Sequence, residues 1–297
     1  MKYSIIVCSY NSAKTLSNCL QSIECQTYKD YEVIFIDDGS NDCTKEIIKK
    51  SSIYNKIKYF YQKNSGIAVA RNKGIKKASG KYLLFLDADD TINPYLLQKI
   101  NEYLEKFTCD IIRYNANRIE KGRASQKKYF LESFKPMKGT KAILYFIKSN
   151  ITYGPLWLYC YRRSFLNKLQ IFFKPGTIHE DFLNCLWLAK AKSVGGIEYI
   201  GYNYYKHSLS LTDPKQAHMV HQRFTDILYY YDYVIKKFMV LYKKDNTEKK
   251  VVIKSAMGFL INNLKYFSGS LQKRMLKEIK ERDFYNNFKG YKNDSGI

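Results

Sequence analysis

Residues 82–90 have the sequence YLLFLDADD, an apolar run that ends in a group of carboxylates. From Tyr3 to Asn115, short β-rich runs like this one alternate with helical patterns, which is typical of a parallel sheet with crossover helices. Ligands of such sheets bind beyond the carboxyl ends of the strands. We therefore predict an α/β fold in which Tyr82–Asp87 forms a strand whose acidic end lies at a binding edge.

The surrounding sequence supplies the neighbours of this strand. Further strands are predicted at Ser4–Cys8, Glu32–Asp37, Lys58–Gln62 and Asp110–Asn115. Between the first two, helical spacing is shown by Leu16, Cys19, Leu20 and Ile23. A helix is also predicted from about Ile67 to Ala78, and Asn93-Pro94 supplies an N-cap and an N1 proline for a helix towards Phe107. The predicted order is β-α-β-α-β-α-β-α-β.

The pattern changes after residue 115. Polar and basic residues over 116–150 favour a loop and hairpin region above the binding cleft. Helical spacing returns from Phe182 to Ala191, and a strand is predicted from Ile197 to Tyr205. After Pro214 apolar residues recur every three or four positions. We expect one domain over residues 1–214, divided at about residue 115, and a helical segment over 215–297.

Polar motifs end three of the predicted strands. They are Ser9-Tyr10-Asn11, Asp37-Asp38-Gly39-Ser40 and Asp87-Ala88-Asp89-Asp90. Carboxylates gathered at one sheet edge repel one another unless a cation or hydrogen-bond donors stabilise them. Asp87-Ala88-Asp89 offers oxygen ligands and leaves positions for water and phosphate oxygens, as Mg²⁺ or Mn²⁺ prefers. We predict a divalent metal here; the alternative, helix capping, is weakened because Asn93 is itself the predicted cap.

Arg71 lies near the start of the helix predicted after the third strand. The sequence contains neither a dinucleotide-binding glycine fingerprint nor a P-loop that would bind phosphate groups. The inner face of that helix is formed by Ile67, Ala70, Gly74, Ile75 and Ala78, so the guanidinium is expected to point to the cleft. A partly buried arginine needs an anionic partner. Two partners remain open, one of the neighbouring aspartates or a diphosphate.

Four motifs jointly resemble those of family 2 glycosyltransferases of the GT-A fold. In order they are SIIVCSYN at 4–11, IDDGS at 36–40, NSG at 64–66 with ARNKG at 70–74, and FLDADD at 85–90. The resemblance implies a Rossmann-like, mostly parallel sheet with flanking helices, a nucleotide-binding half at 1–115 and an acceptor half at 116–214. It also implies transfer of a sugar from a nucleotide diphosphate, with UDP favoured, to an acceptor hydroxyl.

Residue roles follow from the same resemblance. Asp38 would accept the base N–H, Tyr10 would stack near the base, Asp87 would face the ribose, and Asp89 would ligate the metal. The whole nucleotide-sugar site would comprise Cys8, Tyr10, Asn11, Asp38, Gly66, Arg71, Asp87, Ala88 and Asp89. Cys8 departs from the proline or threonine common in the family, which bears on the identity of the base.

The acceptor half resembles the family more loosely. The stretch WLYCYRRSFL at 157–166 implies an acceptor contact by Trp157, and His179-Glu180-Asp181-Phe182 implies Asp181 as the base, supported by Glu180. A carboxylate that opens a helix beside a second acid suits this role, although an acidic first turn also suits the helix dipole. His207 resembles a metal ligand or a basic residue facing the diphosphate, with a surface histidine as the alternative. The implied reaction is inverting.

The net charge of +23 has three candidate causes. They are an AT-rich genome that raises the lysine content, nucleic-acid binding, and attraction to an anionic membrane. The scattered, odd set of seven cysteines and the lack of a secretory or membrane-spanning segment favour a cytoplasmic protein, peripheral at most on the inner face of the membrane. Lipid-linked acceptors would be reached at that location, with the helical segment 215–297 on the membrane surface. The alternative is that this segment forms a homo-oligomer interface. A nucleic-acid-binding protein and a sugar nucleotidyltransferase are the rival functions, and we expect no nucleic-acid partner.

Overall fold

The computed structural model describes residues 1–178, 181–206 and 269–281, together with residues 222, 224–226, 228, 229, 232 and 233. The chain forms two compact units, Met1–Ser210 and Leu211–Ile297. The described part of the first unit is a ten-stranded mixed sheet with flanking helices, which confirms the predicted α/β class. None of the described helices is long and apolar enough to cross a membrane.

Five of the six predicted strands begin and end within three residues of the predicted positions, the strand predicted at Asp110–Asn115 extends to Glu120, and four further strands are present. In chain order the strands are β1 Tyr3–Ser9, β2 Tyr31–Asp37, β3 Ile57–Tyr61, β4 Tyr82–Asp87, β5 Thr91–Ile92, β6 Ile111–Glu120, β7 Arg123–Ser125, β8 Phe134–Met137, β9 Tyr159–Arg162 and β10 Val194–Tyr205. The described helices are α1 Leu16–Glu24, α2 Thr44–Lys50, α3 Ile67–Lys77, α4 Leu96–Lys106, α5 Gly139–Lys148, α6 Arg163–Leu169 and α7 Asp181–Lys190 in the first unit, and α8 Gly269–Glu281 in the second.

The sheet has the strand order β3-β2-β1-β4-β9-β6-β10-β5, with β7 paired to β6 and β8 to β10. Strands β1 to β4 run parallel to one another. Strand β9 is antiparallel to both β4 and β6, and β10 is parallel to β6. The carboxyl ends of β1, β2 and β4 therefore lie at one edge of the sheet.

Helices cover the parallel strands closely. All residues of β1 and β2 are buried, as expected for strands that are covered on both faces. The predicted stripe of α1 is confirmed, because its buried residues are Leu16, Cys19, Leu20 and Ile23. On α3, a Cβ added at Gly74 would lie 2.4 Å from Ile6 Cγ2, so glycine allows this helix to approach β1.

Asn93 is not the N-cap of α4, which corrects the prediction. Tyr95 occupies the cap position. The Asn93 side chain instead bonds β10, donating from Nδ2 to the Ile200 carbonyl and accepting at Oδ1 from Asn203 Nδ2 at 2.8 Å. A side chain engaged by a neighbouring strand is not available to cap the helix that follows it.

Residues 116–150 contain more regular structure than the predicted loop and hairpin. The hairpin is confirmed by β6 and β7, which are joined at Lys121 and Gly122, both with positive φ. The prediction is wrong for 139–148, which form α5. Burial of Ala142, Ile143 and Phe146 along one side of this helix explains the difference, since the nearby basic residues obscured a short apolar stripe.

Candidate active site

The carboxyl ends of three parallel strands meet in the region formed by residues 8–12, 37–41 and 87–90. We call this region the donor edge, because the resemblance predicts that the nucleotide-sugar donor binds there. In the strand register Cys8 pairs with Asp87, and Ser9 pairs with Asp37. The Asp38 N–H donates to the Ser9 carbonyl at 2.8 Å, which continues the contact beyond the strands. The predicted meeting of three polar motifs is confirmed.

Asn11 joins the loops that follow β1 and β2. Its φ is 52°, in the left-handed region that asparagine adopts more readily than most residues. Its N–H donates to Ser40 Oγ, and its Oδ1 accepts from the Asn41 N–H, both at 2.9 Å. Tyr10 beside it is 51% exposed, so its ring is open to a ligand at the donor edge. The stacking role of Tyr10 stays a prediction.

The buried carboxylate of Asp38 holds the loop that precedes α3. Its Oδ1 accepts from Gln62 Nε2 at 2.7 Å and from the Ser65 N–H at 2.9 Å, and its Oδ2 accepts from the Gly66 N–H at 2.8 Å. Gly66 has a φ of 86°, which favours glycine. A carboxylate accepts about four hydrogen bonds. A nucleotide base would therefore share Asp38 with three protein donors, and that contact stays a prediction.

Arg71 is buried and bonded to the donor edge. Its Nη2 donates to Asp87 Oδ1 at 2.8 Å, and the Asp87 side chain is 31% exposed. Of the two partners left open by the sequence, the structure contains the aspartate. Burial raises the pKa of the neighbouring Cys8 thiol to about 12, with the Arg71 charge opposing this shift. Cys8 is thus a neutral side chain at physiological pH.

Asp90 and Tyr202 form a buried contact for which the sequence predicted no role. The Tyr202 hydroxyl donates to Asp90 Oδ2 at 2.7 Å and accepts from the Asp87 N–H at 3.2 Å, while the Tyr205 N–H donates to Asp90 Oδ1 at 2.7 Å. Burial, followed by the charges of Asp89 and Asp87, raises the pKa of Asp90 well above its ordinary value. The contact spans 112 positions of sequence, so only the acidic motif could have pointed to it.

Asp89 is exposed, whereas Ala88 and Asp90 beside it are buried. Mg²⁺ is usually held by one or two carboxylates together with substrate phosphates, so one exposed aspartate at the donor edge fits a metal site completed by a ligand. Within the described ranges, no group of three or more His, Cys, Asp or Glu side chains could hold an ion by itself. His207, the second predicted ligand, lies outside the described residues. Metal binding stays a prediction.

Helix α7 begins at Asp181, the predicted base, while Glu180 lies outside the described residues. Buried Asn184 bonds this helix to its neighbours: its Oδ1 accepts from the Tyr161 hydroxyl at 2.8 Å, and its Nδ2 donates to the carbonyls of Tyr153 and Gly154, both at 3.0 Å. These bonds join α7 to β9 and to the segment that precedes β9. The roles of Asp181 and Glu180 stay predictions.

Trp157, the predicted acceptor contact, is buried. Its ring stacks on Tyr202 with centroids 4.5 Å apart and on Tyr204 at 5.4 Å. Only 8% of the residue is exposed. Trp157 thus supports the tyrosine that bonds Asp90, and its contact with an acceptor stays a prediction.

Comparisons with known proteins agree with the fold and the motifs. A family model described as Glycosyl transferase family 2 matches residues 4–170, more than half of the chain. The glycosyltransferase YibD of Escherichia coli is 30% identical over 217 residues, covering 71% of this chain and 63% of that protein. The cholesterol galactosyltransferase of Borreliella burgdorferi is 39% identical over 112 residues, covering 37% of this chain and 31% of that protein. The match thus spans less than two thirds of either relative.

Solved structures show the same fold. S. aureus TarS 1-349 in complex with UDP has a TM-score of 0.65 at 20% identity, covering 99% of this chain and 76% of that chain. TarS 1-349 in complex with UDP-GlcNAc has a TM-score of 0.62 at 21% identity, covering 90% and 82%. The likeness shows that the chain has the predicted GT-A fold. The comparisons favour neither a nucleic-acid-binding protein nor a nucleotidyltransferase.

Proposed function

Because the chain belongs to glycosyl transferase family 2, we propose that it transfers a hexosyl or N-acetylhexosaminyl group from a nucleotide diphosphate to a hydroxyl of a surface glycan, such as capsule, lipooligosaccharide or teichoic acid. The observation that carries this proposal is the donor edge, which contains the buried Asp38 and the exposed Asp89 and whose Asp87 is bonded by Arg71. UDP is the nucleotide we favour, supported by the UDP and UDP-GlcNAc complexes of TarS.

The negative charges of the carboxylates at the donor edge are compatible with a bound diphosphate only when positive charge or protonation offsets them. Asp87, Asp89 and Asp90 would repel phosphate oxygens if all three were ionised and unpaired. Arg71 offsets Asp87, and the raised pKa of Asp90 favours its neutral form. Mn²⁺ or Mg²⁺ bound by Asp89 would supply positive charge to the leaving diphosphate as a Lewis acid.

The proposed reaction is a single displacement at the anomeric carbon. Asp181 accepts the proton of the acceptor hydroxyl, with Glu180 in support, and the acceptor oxygen forms a bond to the anomeric carbon. The bond from that carbon to the diphosphate oxygen breaks, and the nucleoside diphosphate leaves with the electron pair. Attack from the opposite face inverts the configuration, so an α-linked donor gives a β-linked product.

Titration calorimetry with UDP, with and without Mn²⁺, tests the donor edge. We expect Mn²⁺ to tighten UDP binding to the wild type, and Asp89→Asn to lose that metal-dependent part because an amide is a poor replacement for a carboxylate ligand. At 100 times Kd, bound UDP should stabilise the fold by about 2.7 kcal/mol. Asp30→Asn, at an exposed aspartate before β2, is the matched control. Equal UDP affinity and transfer activity with Mn²⁺ and in EDTA would contradict the metal proposal.

We further propose that the protein lies peripherally on the inner face of the membrane, where lipid-linked acceptors would be reached. Support comes from the net charge of +23 and from α8, on which Lys273, Arg274, Leu276 and Lys277 are exposed. Each basic residue near an anionic surface contributes about 1 kcal/mol. Sedimentation with anionic vesicles at low salt should retain the protein, and high salt should release it. Failure to bind would favour an oligomer interface instead.

A further inference from the structure

Asn72 follows Arg71 on α3 and lies in the motif ARNKG, yet the sequence predicts no role for it. Its Nδ2 donates to the Phe173 carbonyl at 2.8 Å, and its Oδ1 accepts from the Phe173 N–H at 3.0 Å. One amide thus satisfies both backbone groups of a residue 101 positions away. Paired bonds of this kind fix both the position and the direction of the chain that they hold.

The segment held in this way leads to the start of α7. Phe173 is buried, and its ring packs edge-on against Phe85 of β4 and Trp187 of α7. Trp187 Nε1 also donates to the Ile171 carbonyl at 3.2 Å. After Phe173 the chain turns at Gly176, whose φ is 81°. Ile171 and Phe173 are therefore joined directly to α7 through Trp187.

Two consecutive residues of α3 consequently hold the two halves of the proposed site. Arg71 bonds Asp87 at the donor edge, and Asn72 bonds the segment that precedes Asp181. Because both side chains leave the same helical turn, α3 links the Asp87 carboxylate to the Phe173 backbone, in addition to the contact of the Phe173 ring with Phe85 of β4. A base must lie within about 2.6–3.2 Å of the proton it removes.

We propose that Asn72 is a positioning residue that sets α7, and with it Asp181, relative to the donor edge. The inference rests on the proposed function and extends it to a residue whose side chain bonds the protein backbone. A displacement of about 1 Å in a catalytic group reduces the rate about 100-fold. Loss of the Asn72 bonds should therefore lower kcat while the donor edge still binds nucleotide.

The test compares Asn72→Ala with Asn101→Ala, a helical asparagine on α4 that bonds only Glu105 in the described structure. UDP affinity is measured with Mn²⁺, and kcat and KM by UDP release from whichever UDP-sugar the wild type turns over. We expect Asn72→Ala to lower kcat by about 10- to 100-fold, with the Kd for UDP within about twofold of wild type. Amide hydrogen exchange over 171–178 should be faster. Asn101→Ala should resemble wild type in every measurement.

A second variant covers the case in which Asn72→Ala does not fold. Asn72→Asp keeps the acceptor for the Phe173 N–H and loses the donor to its carbonyl, so it should lower kcat with retained UDP affinity. Unchanged kcat in both variants would overturn the inference, as would a loss of UDP affinity that parallels the loss of kcat. A wild-type protein that binds no UDP would contradict the proposed function itself, which separates that failure from a failure of the inference.

Discussion

The two halves of the first unit differ in the direction of their strands. In residues 1–115, β1 to β4 are parallel and end at one edge, where the side chains of Asn11 and Asp38 bond the backbone of neighbouring loops. In residues 116–206, β9 is antiparallel to both β4 and β6, and the buried Asn184 side chain bonds α7 to the Gly154 carbonyl.

We expect this difference to separate nucleotide binding from chemistry. The donor edge depends on backbone register, which many contacts maintain together, so one substitution there should mainly remove one ligand contact. In residues 116–206, the side chains of Asn184 and Trp187 bond α7 to separate segments, so a substitution that removes these bonds should displace this helix.

The largest expected effect is at Asp181, the first residue of α7. Asp181→Asn should lower kcat by about 10²–10⁴-fold because it removes the proposed base. UDP affinity should stay close to that of the wild type, since the donor edge is intact and the lost interaction belongs to the transition state. Steady-state kinetics and calorimetry check both statements. An unchanged kcat would assign the base to Glu180 or to another residue.

The next largest effect is on the free energy of unfolding, and it comes from Glu32 in residues 1–115. Burial alone would raise the pKa of Glu32, but hydrogen bonds from Lys58, Ser4 and Ser79 outweigh it and lower the pKa to about 2. A depressed carboxyl pKa stabilises the fold above the unfolded value and loses that contribution as pH falls from about 4.5 towards 2. The loss should be on the order of 3 kcal/mol.

Thermal unfolding between pH 5 and pH 2.5 measures the Glu32 effect, with Glu32→Gln as the comparison. The variant should be less stable than wild type at pH 5 and should lose less stability on acidification. UDP affinity at neutral pH should hardly change in a folded variant, because Glu32 lies at the end of β2 opposite the donor edge. Parallel pH profiles of the two proteins would show that Glu32 does not stabilise the fold in this way.

The smallest effect concerns Tyr202, which joins the halves by bonding Asp90. Tyr202→Phe keeps the ring that stacks on Trp157 and removes the hydroxyl, at a cost of about 1 kcal/mol. The melting temperature should fall by about 2–4 °C. Tyr54→Phe, at a residue 49% exposed, is the control and should not change it. A Tyr202→Phe melting temperature equal to that of the wild type would mean that the hydroxyl does not stabilise the link.

Prediction from the sequence succeeded where structure follows from local pattern. Strand Tyr82–Asp87 was predicted at its observed bounds, and the apolar stripe of α1 identified its buried face. It failed at α5, where a short apolar stripe lies among basic residues, and at Asn93, whose side chain bonds β10 instead of capping α4. At Asn93 a tertiary contact outweighs local preference, whereas α5 follows a local stripe that the nearby basic residues obscured.

The sequence by itself determined that polar motifs would meet at one sheet edge, because parallel strands joined by crossover helices bring their carboxyl ends together. Only the tertiary structure decided which side chains those motifs would bond. Arg71 pairs with Asp87, Tyr202 bonds Asp90 across 112 positions, and Asn72 holds Phe173 across 101. Such contacts depend on how separate layers pack, and no local periodicity encodes a partner that lies so far along the chain.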